Sequence, residues 1–124
     1  MSLWPFGERR RNARHSVEWE ASLCCVFSDF EKTISVRVIE ISHGGAKLSL
    51  EGMRVGPYHL TVGGDGTARF ELSIPKPEGT IKSLIDFQWY NFDEGTRLFT
   101  TGVAFLGLDK ESEAVLKTSL KRKS

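Results

Sequence analysis

The chain has 124 residues, a hydrophobic fraction of 40% and 17 Lys+Arg against 16 Asp+Glu, which fits one folded globular domain and excludes a chain that is mainly disordered. No run approaches the roughly 20 apolar residues that span a bilayer. The opening MSLWPFGERRRNARH has no apolar core of the kind a secretory signal needs, so no membrane insertion and a cytoplasmic location are expected.

Residues 1–15 show no clean period and hold four arginines against one glutamate. They read as a flexible basic arm. Strand signals begin at Ser16. Val17 to Phe27 mixes β-branched, aromatic and small residues. Thr33 to Ile41 alternates until Ile41 breaks the pattern, and residues 28–31 between the two runs read as a hairpin loop. Ser42-His43-Gly44-Gly45 is a sharp turn, followed by a short strand at Ala46–Leu50. Tyr58–Val62, Thr67–Ile74, Thr80–Tyr90 and Arg97–Leu108 read as further strands. Breaks are expected at Gly63–Gly66, Pro75–Gly79 and Asn91–Thr96.

The chain then changes period. Asp109 caps a helix of about 11 residues whose buried stripe is Val115, Leu116, Ser119 and Leu120. Six or seven short strands followed by one helix predict an antiparallel barrel or sandwich, with the helix over an open end or edge. The organisation expected is an arm at 1–15, a barrel with its helix at 16–121, and a basic tail at 122–124.

Charge is unevenly placed. Residues 1–15 carry +3, residues 16–116 carry −6 and residues 117–124 carry +4. An acidic body argues against a nucleic-acid polymer as partner, because such binders spread positive charge over a face of the fold. It fits a small anionic ligand held by a tail, or plain solvation of the basic tails. Catalysis has little support. His15, His43 and His59 are not spaced as a metal site, and Cys24 and Cys25 are adjacent thiols on opposite faces of a strand. No nucleophile-elbow, zinc-protease or phosphate-loop pattern occurs, so neither an enzyme nor a cofactor is expected. Asp86, Asp93 and Glu94 read as solvated carboxylates, and Trp19, Trp89, Tyr90 and Phe92 as core rings.

Two clusters carry recognition chemistry. Arg9, Arg10 and Arg14 present planar forks that pair with phosphate, stack on rings and donate to O6 and N7 of guanine. Glu40 offers a carboxylate that can accept from N1–H and N2–H of guanine. Ser42 lies two residues on, and Gly45 permits a tight turn and close approach.

These two clusters, in this order and about 30 residues apart, resemble the PilZ domain family. The matching segments are Glu8-Arg9-Arg10-Arg11-Asn12-Ala13-Arg14 for an R-x-x-x-R motif and Glu40-Ile41-Ser42-His43-Gly44-Gly45 for a [D/N]-x-S-x-x-G motif. Thr101–Leu108 is similar to the family's last strand running into its helix. The resemblance covers about residues 8–121. It implies a mostly β fold, a small six-stranded antiparallel β-barrel with a C-terminal α-helix. It also implies binding of cyclic di-GMP, with Arg10 and Arg14 as the arginine pair, Arg9 assisting, and Ser42 and Gly45 beneath the ligand. Glu40 stands where the family has Asp or Asn, keeping the carboxylate on one more methylene. A receptor of this kind changes conformation at its N-terminal arm and signals to a protein partner. The alternative is a PilZ-like protein-interaction domain that binds no nucleotide.

Overall fold

The structure, a computed structural model, describes residues 13–60 and 68–122. Eight strands and one helix lie among them: β1 (His15–Phe27), β2 (Phe30–Ile41), β3 (Gly45–Leu50), β4 (Arg54–Val55), β5 (Tyr58–His59), β6 (Arg69–Lys76), β7 (Gly79–Asp93), β8 (Leu98–Phe105) and α1 (Lys110–Arg122). Period-two alternation sets the inner face of each long strand. Ala21, Leu23, Cys25 and Phe27 of β1 are buried, as are Leu72 and Ile74 of β6 and Ile81 and Ile85 of β7. Six strands close into an antiparallel barrel in the order β1-β2-β3-β8-β7-β6, with β6 returning to β1. The core fills the barrel, and Leu23, Val38, Ile41, Leu48, Ile74 and Val103 are among its fully buried side chains. Each contributes about 1.5–3 kcal/mol by leaving water.

The hairpin between β1 and β2 is tighter than the sequence predicts. Phe27 pairs directly with Phe30, so the turn is Ser28-Asp29 alone. β2 gains its early start because Phe27, Phe30 and Tyr58 pack together, with Phe27 and Tyr58 stacked at 4.2 Å. The Tyr58 hydroxyl donates to Asp29 and ties the β4–β5 ladder to this turn. Phe30 also covers Gly56, whose φ of +58 suits glycine. The strand expected at Tyr58–Val62 is a strand at Tyr58–His59. Its remaining residues 61 and 62, and the break expected at Gly63–Gly66, lie outside the described residues. β7 runs on to Asp93 where a loop was expected. Tyr90 and Phe92 there contact the Phe99 ring of β8, which prolongs the ladder.

The helix follows its sequence signals. Asp109 Oδ1 accepts from the Ser112 N–H at 2.7 Å. That bond, followed by the Ser112 side chain, holds the Asp109 carboxyl below its ordinary range. Glu111 and Glu113 occupy the first turn, as the macrodipole favours. Val115 and Leu116 are buried, Ser119 with them. The Ser112 hydroxyl accepts from the Lys82 N–H at 3.0 Å and donates to the Lys82 carbonyl at 3.3 Å, clasping α1 to β7. The helix has 13 residues, two more than the stripe predicted.

Candidate functional site

Three irregularities in the barrel's ladders converge on one place. Register shifts fall between Ser16 and Trp19 in β1, between Val38 and Glu40 in β2, and between Phe87 and Trp89 in β7. An extra residue in a ladder re-aims the side chains beside it, and such bulges concentrate near functional sites. The bulge in β2 explains why Val38 and Ile41 are both buried, the break that Ile41 made in the sequence pattern. Just past each shift lies the same cross-strand row. Ser16 pairs with Glu40, Glu40 with Lys47, Lys47 with Gly102, and Gly102 with Trp89. The row crosses β1, β2, β3, β8 and β7. Its flanking positions Ile41, Ala46 and Val103, and Leu48 and Thr101, are fully buried. The row therefore faces outward.

Its side chains form a charged and aromatic strip. Glu40 Oε1 lies 3.8 Å from Lys47 Nζ and 4.0 Å from Arg14 Nη1. Both distances are beyond hydrogen-bond range, so these are long ionic contacts between half-buried side chains. Among the described residues Glu40 Oε1 receives no hydrogen bond, although the atom is buried. Lys47 Nζ also lies 5.9 Å from the Trp89 ring centroid, within cation–π range. The indole folds over Gly102, where an added Cβ would overlap Nε1 and Cε2. Trp89 Nε1 finds no acceptor among the described residues. Its carbonyl accepts from the buried Thr101 hydroxyl at 2.6 Å. Packing on Gly102, and not an indole hydrogen bond, sets the ring's place.

The turn after β2 is built by its own serine. Ser42 is fully buried. Its hydroxyl accepts from the Gly44 N–H at 3.1 Å and lies 3.4 Å from the Gly45 carbonyl, which also accepts from the Ser42 N–H at 2.9 Å. The Phe105 N–H donates to the Gly44 carbonyl and ties the turn to β8. Ser42 thus fixes the exit of the strand that carries Glu40, while its hydroxyl is engaged within the turn. Gly45 opens β3 opposite Ala104.

Of the residues singled out from the sequence, the structure brings Arg14 to Glu40 and sets Ser42 and Gly45 just beyond it. Arg9 and Arg10 lie outside the described residues. Lys47, Trp89 and Gly102 were not singled out as site residues. Trp89, expected as a core ring, is turned to the outward row by the bulge at Gln88. A glycine within the strand run Arg97–Leu108 was the available signal, since such glycines mark close approach of another group. Tyr90 and Phe92, expected in the core, are 47% and 42% exposed at the far end of β7. The burial of Cys25 raises its thiol to about 12, with Cys24 adding to the effect. No group of three or more His, Cys, Asp and Glu that could hold a metal occurs among the described residues. No helix among them is long and apolar enough to cross a membrane.

Comparison with known proteins agrees with this architecture. The model of the PilZ domain family matches residues 8–122. A comparison with curated proteins finds no match. Among solved structures, the PilZ domain of YcgR from Escherichia coli, determined with c-di-GMP, superposes with a TM-score of 0.62 at 18% identity, covering 93% of each chain. The Bacillus subtilis inhibitor of motility MotI/DgrA gives 0.65 at 15% identity, over 93% of this chain and 51% of that one. The K. pneumonia MrkH–c-di-GMP complex gives 0.59 at 17% identity, over 94% and 56%. The chain therefore spans about half the length of MotI and of MrkH.

Proposed function

Because the chain belongs to the PilZ domain family, we propose that it is a receptor for cyclic di-GMP, which binds on the outward row from Glu40 to Trp89 under the arginines of the N-terminal segment. The observation that carries this reading is the row itself. A carboxylate acceptor, an ammonium and an indole stand side by side on the barrel wall, and Arg14 reaches the same carboxylate from the chain leading into β1. Two of the solved structures of the same fold, YcgR and MrkH, hold c-di-GMP.

The chemistry of each group fits a cyclic dinucleotide. Glu40 accepts from the N1–H and N2–H edge of a guanine, which supplies a donor to the oxygen Oε1 that has none among the described residues. Trp89 offers a ring for stacking. Arg14, with Arg9 and Arg10 before it, pairs with the phosphates and with the second base. Ser42 and Gly45 hold the turn that fixes Glu40. Ordering the arm costs roughly 1–2 kcal/mol per residue, and charge-assisted bonds of about 1.5–3 kcal/mol each offset that cost. The response is a change at the arm that alters the surface offered to a protein partner.

The rival reading, a protein-interaction domain without nucleotide, draws on Glu40 already having Lys47 and Arg14 as ionic partners. Thermal unfolding separates the two. A ligand that binds only the native state raises stability by RT ln(1 + [L]/Kd). Cyclic di-GMP is expected to raise the midpoint while GTP and cyclic GMP do not. Equal midpoints with and without cyclic di-GMP would favour the rival.

A further inference from the structure

The proposed receptor role counts the Lys47 ammonium in the row but assigns it no contact with the ligand, and its position is specific. It occupies the row between Glu40 and Gly102, with its ammonium 3.8 Å from Glu40 Oε1 and 5.9 Å from the Trp89 ring centroid. Lys47 is half-buried between the fully buried Ala46 and Leu48, so its stem is fixed to the outer face of the barrel. At 3.8 Å and without a hydrogen bond to Glu40 Oε1, the ion pair is too long to be a strong contribution to stability. Resting on the cyclic di-GMP reading of the same site, we infer that Lys47 is a base-reading residue that donates to O6 of the guanine held by Glu40 and so sets the site against adenine.

The argument follows from the edge of the base. On guanine, the O6 acceptor is bonded to the carbon next to N1–H. A carboxylate that accepts from N1–H therefore has O6 beside it, and a cation neighbouring that carboxylate meets O6. Lysine donation to O6 and N7 is among the common contacts that specify guanine. Adenine reverses both groups. It has no hydrogen on N1 to give Glu40, and its N6 amino group opposes the Lys47 ammonium donor to donor. Glu40 and Lys47 together form an acceptor–donor pair complementary to the guanine edge and not to that of adenine. The pairing also explains how the longer side chain at position 40 serves in an anionic-ligand site. Lys47 offsets the carboxylate's charge, so phosphates are not repelled.

A lysine that reads a base behaves differently from one that neutralises a phosphate. Losing a phosphate contact weakens all ligands alike and lowers the salt slope by about 1. The base contact changes discrimination. The test is a calorimetric titration of the full chain and its Lys47→Met and Lys47→Arg variants with cyclic di-GMP, and competition by cyclic di-AMP, with melting curves to show that each variant is folded. Lys47→Met is expected to bind cyclic di-GMP about tenfold or more weakly and to narrow the ratio between the two ligands by the same factor. Lys47→Arg, which keeps a donor, is expected to restore most of the ratio. A Lys47→Met variant that is folded and binds as the parent does would overturn the inference while leaving the receptor reading intact. So would one that loses both ligands equally with a smaller salt slope. Absence of cyclic di-GMP binding by the parent chain would overturn both.

Discussion

Glu40 and Trp89 stand in one row, and neither gains its position from its own side chain. Glu40 is set by the β2 bulge and by the Ser42 turn behind it, and Trp89 by the absence of a side chain at Gly102. Gly102→Val tests the second statement. A valine suits a strand, but its Cβ must displace the indole. The variant should keep its fold, shift its tryptophan emission and lose tenfold or more in cyclic di-GMP affinity. Unchanged emission and affinity would show that the ring does not depend on this glycine. Cys25 gives a second residue-scale prediction. Burial lifts its folded value from 9.0 to about 12, so the folded state holds its proton where the unfolded state releases it. The resulting stability is fully present below pH 9 and is lost as pH rises through about 12. Urea unfolding of a Cys25→Ala variant against pH checks this, because the variant should lack that part of the alkaline decline.

At the scale of elements, the strands and helix obey patterns visible in the sequence, and their exceptions share a cause. Alternation located the barrel strands, and Asp109 with the stripe at Val115, Leu116, Ser119 and Leu120 located α1. The β2 bulge left a trace in the sequence, the broken alternation at Ile41, but the bulges of β1 and β7 left none, because an extra residue is fixed by the partner strand's register and not by its own propensity. The row that places Lys47 beside Trp89 therefore could not be read from the sequence, whereas Glu40 and Ser42 sit in a local motif and were singled out from it. The ends of β2 and β7 were set by the rings of Tyr58 and Phe99, contacts from distant sequence. Ser112 shows a further exception: a serine inside the helix, buried because it bonds both backbone groups of Lys82. Ser112→Ala should leave those groups unsatisfied, cost about 1–3 kcal/mol and lower the melting midpoint by several degrees. A midpoint within one degree of the parent's, by calorimetry, would mean that apolar packing of Val115 and Leu116 alone secures the helix.

For the molecule as a whole, a closed barrel supplies a rigid wall and the N-terminal segment supplies cations. Residues 16–116 carry −6 against +3 in residues 1–15. That division suits a receptor whose ligand is anionic and whose site is completed from outside the barrel. The measurement that tests this account most directly is calorimetric titration of the full chain with cyclic di-GMP, beside Arg14→Ala and Glu40→Ala. The account predicts saturable binding at micromolar affinity or tighter, one or two ligands per chain, and a loss of tenfold or more in each variant. No heat and no change in melting midpoint at about 100 µM ligand, where a micromolar binder would gain about 2.7 kcal/mol, would contradict it.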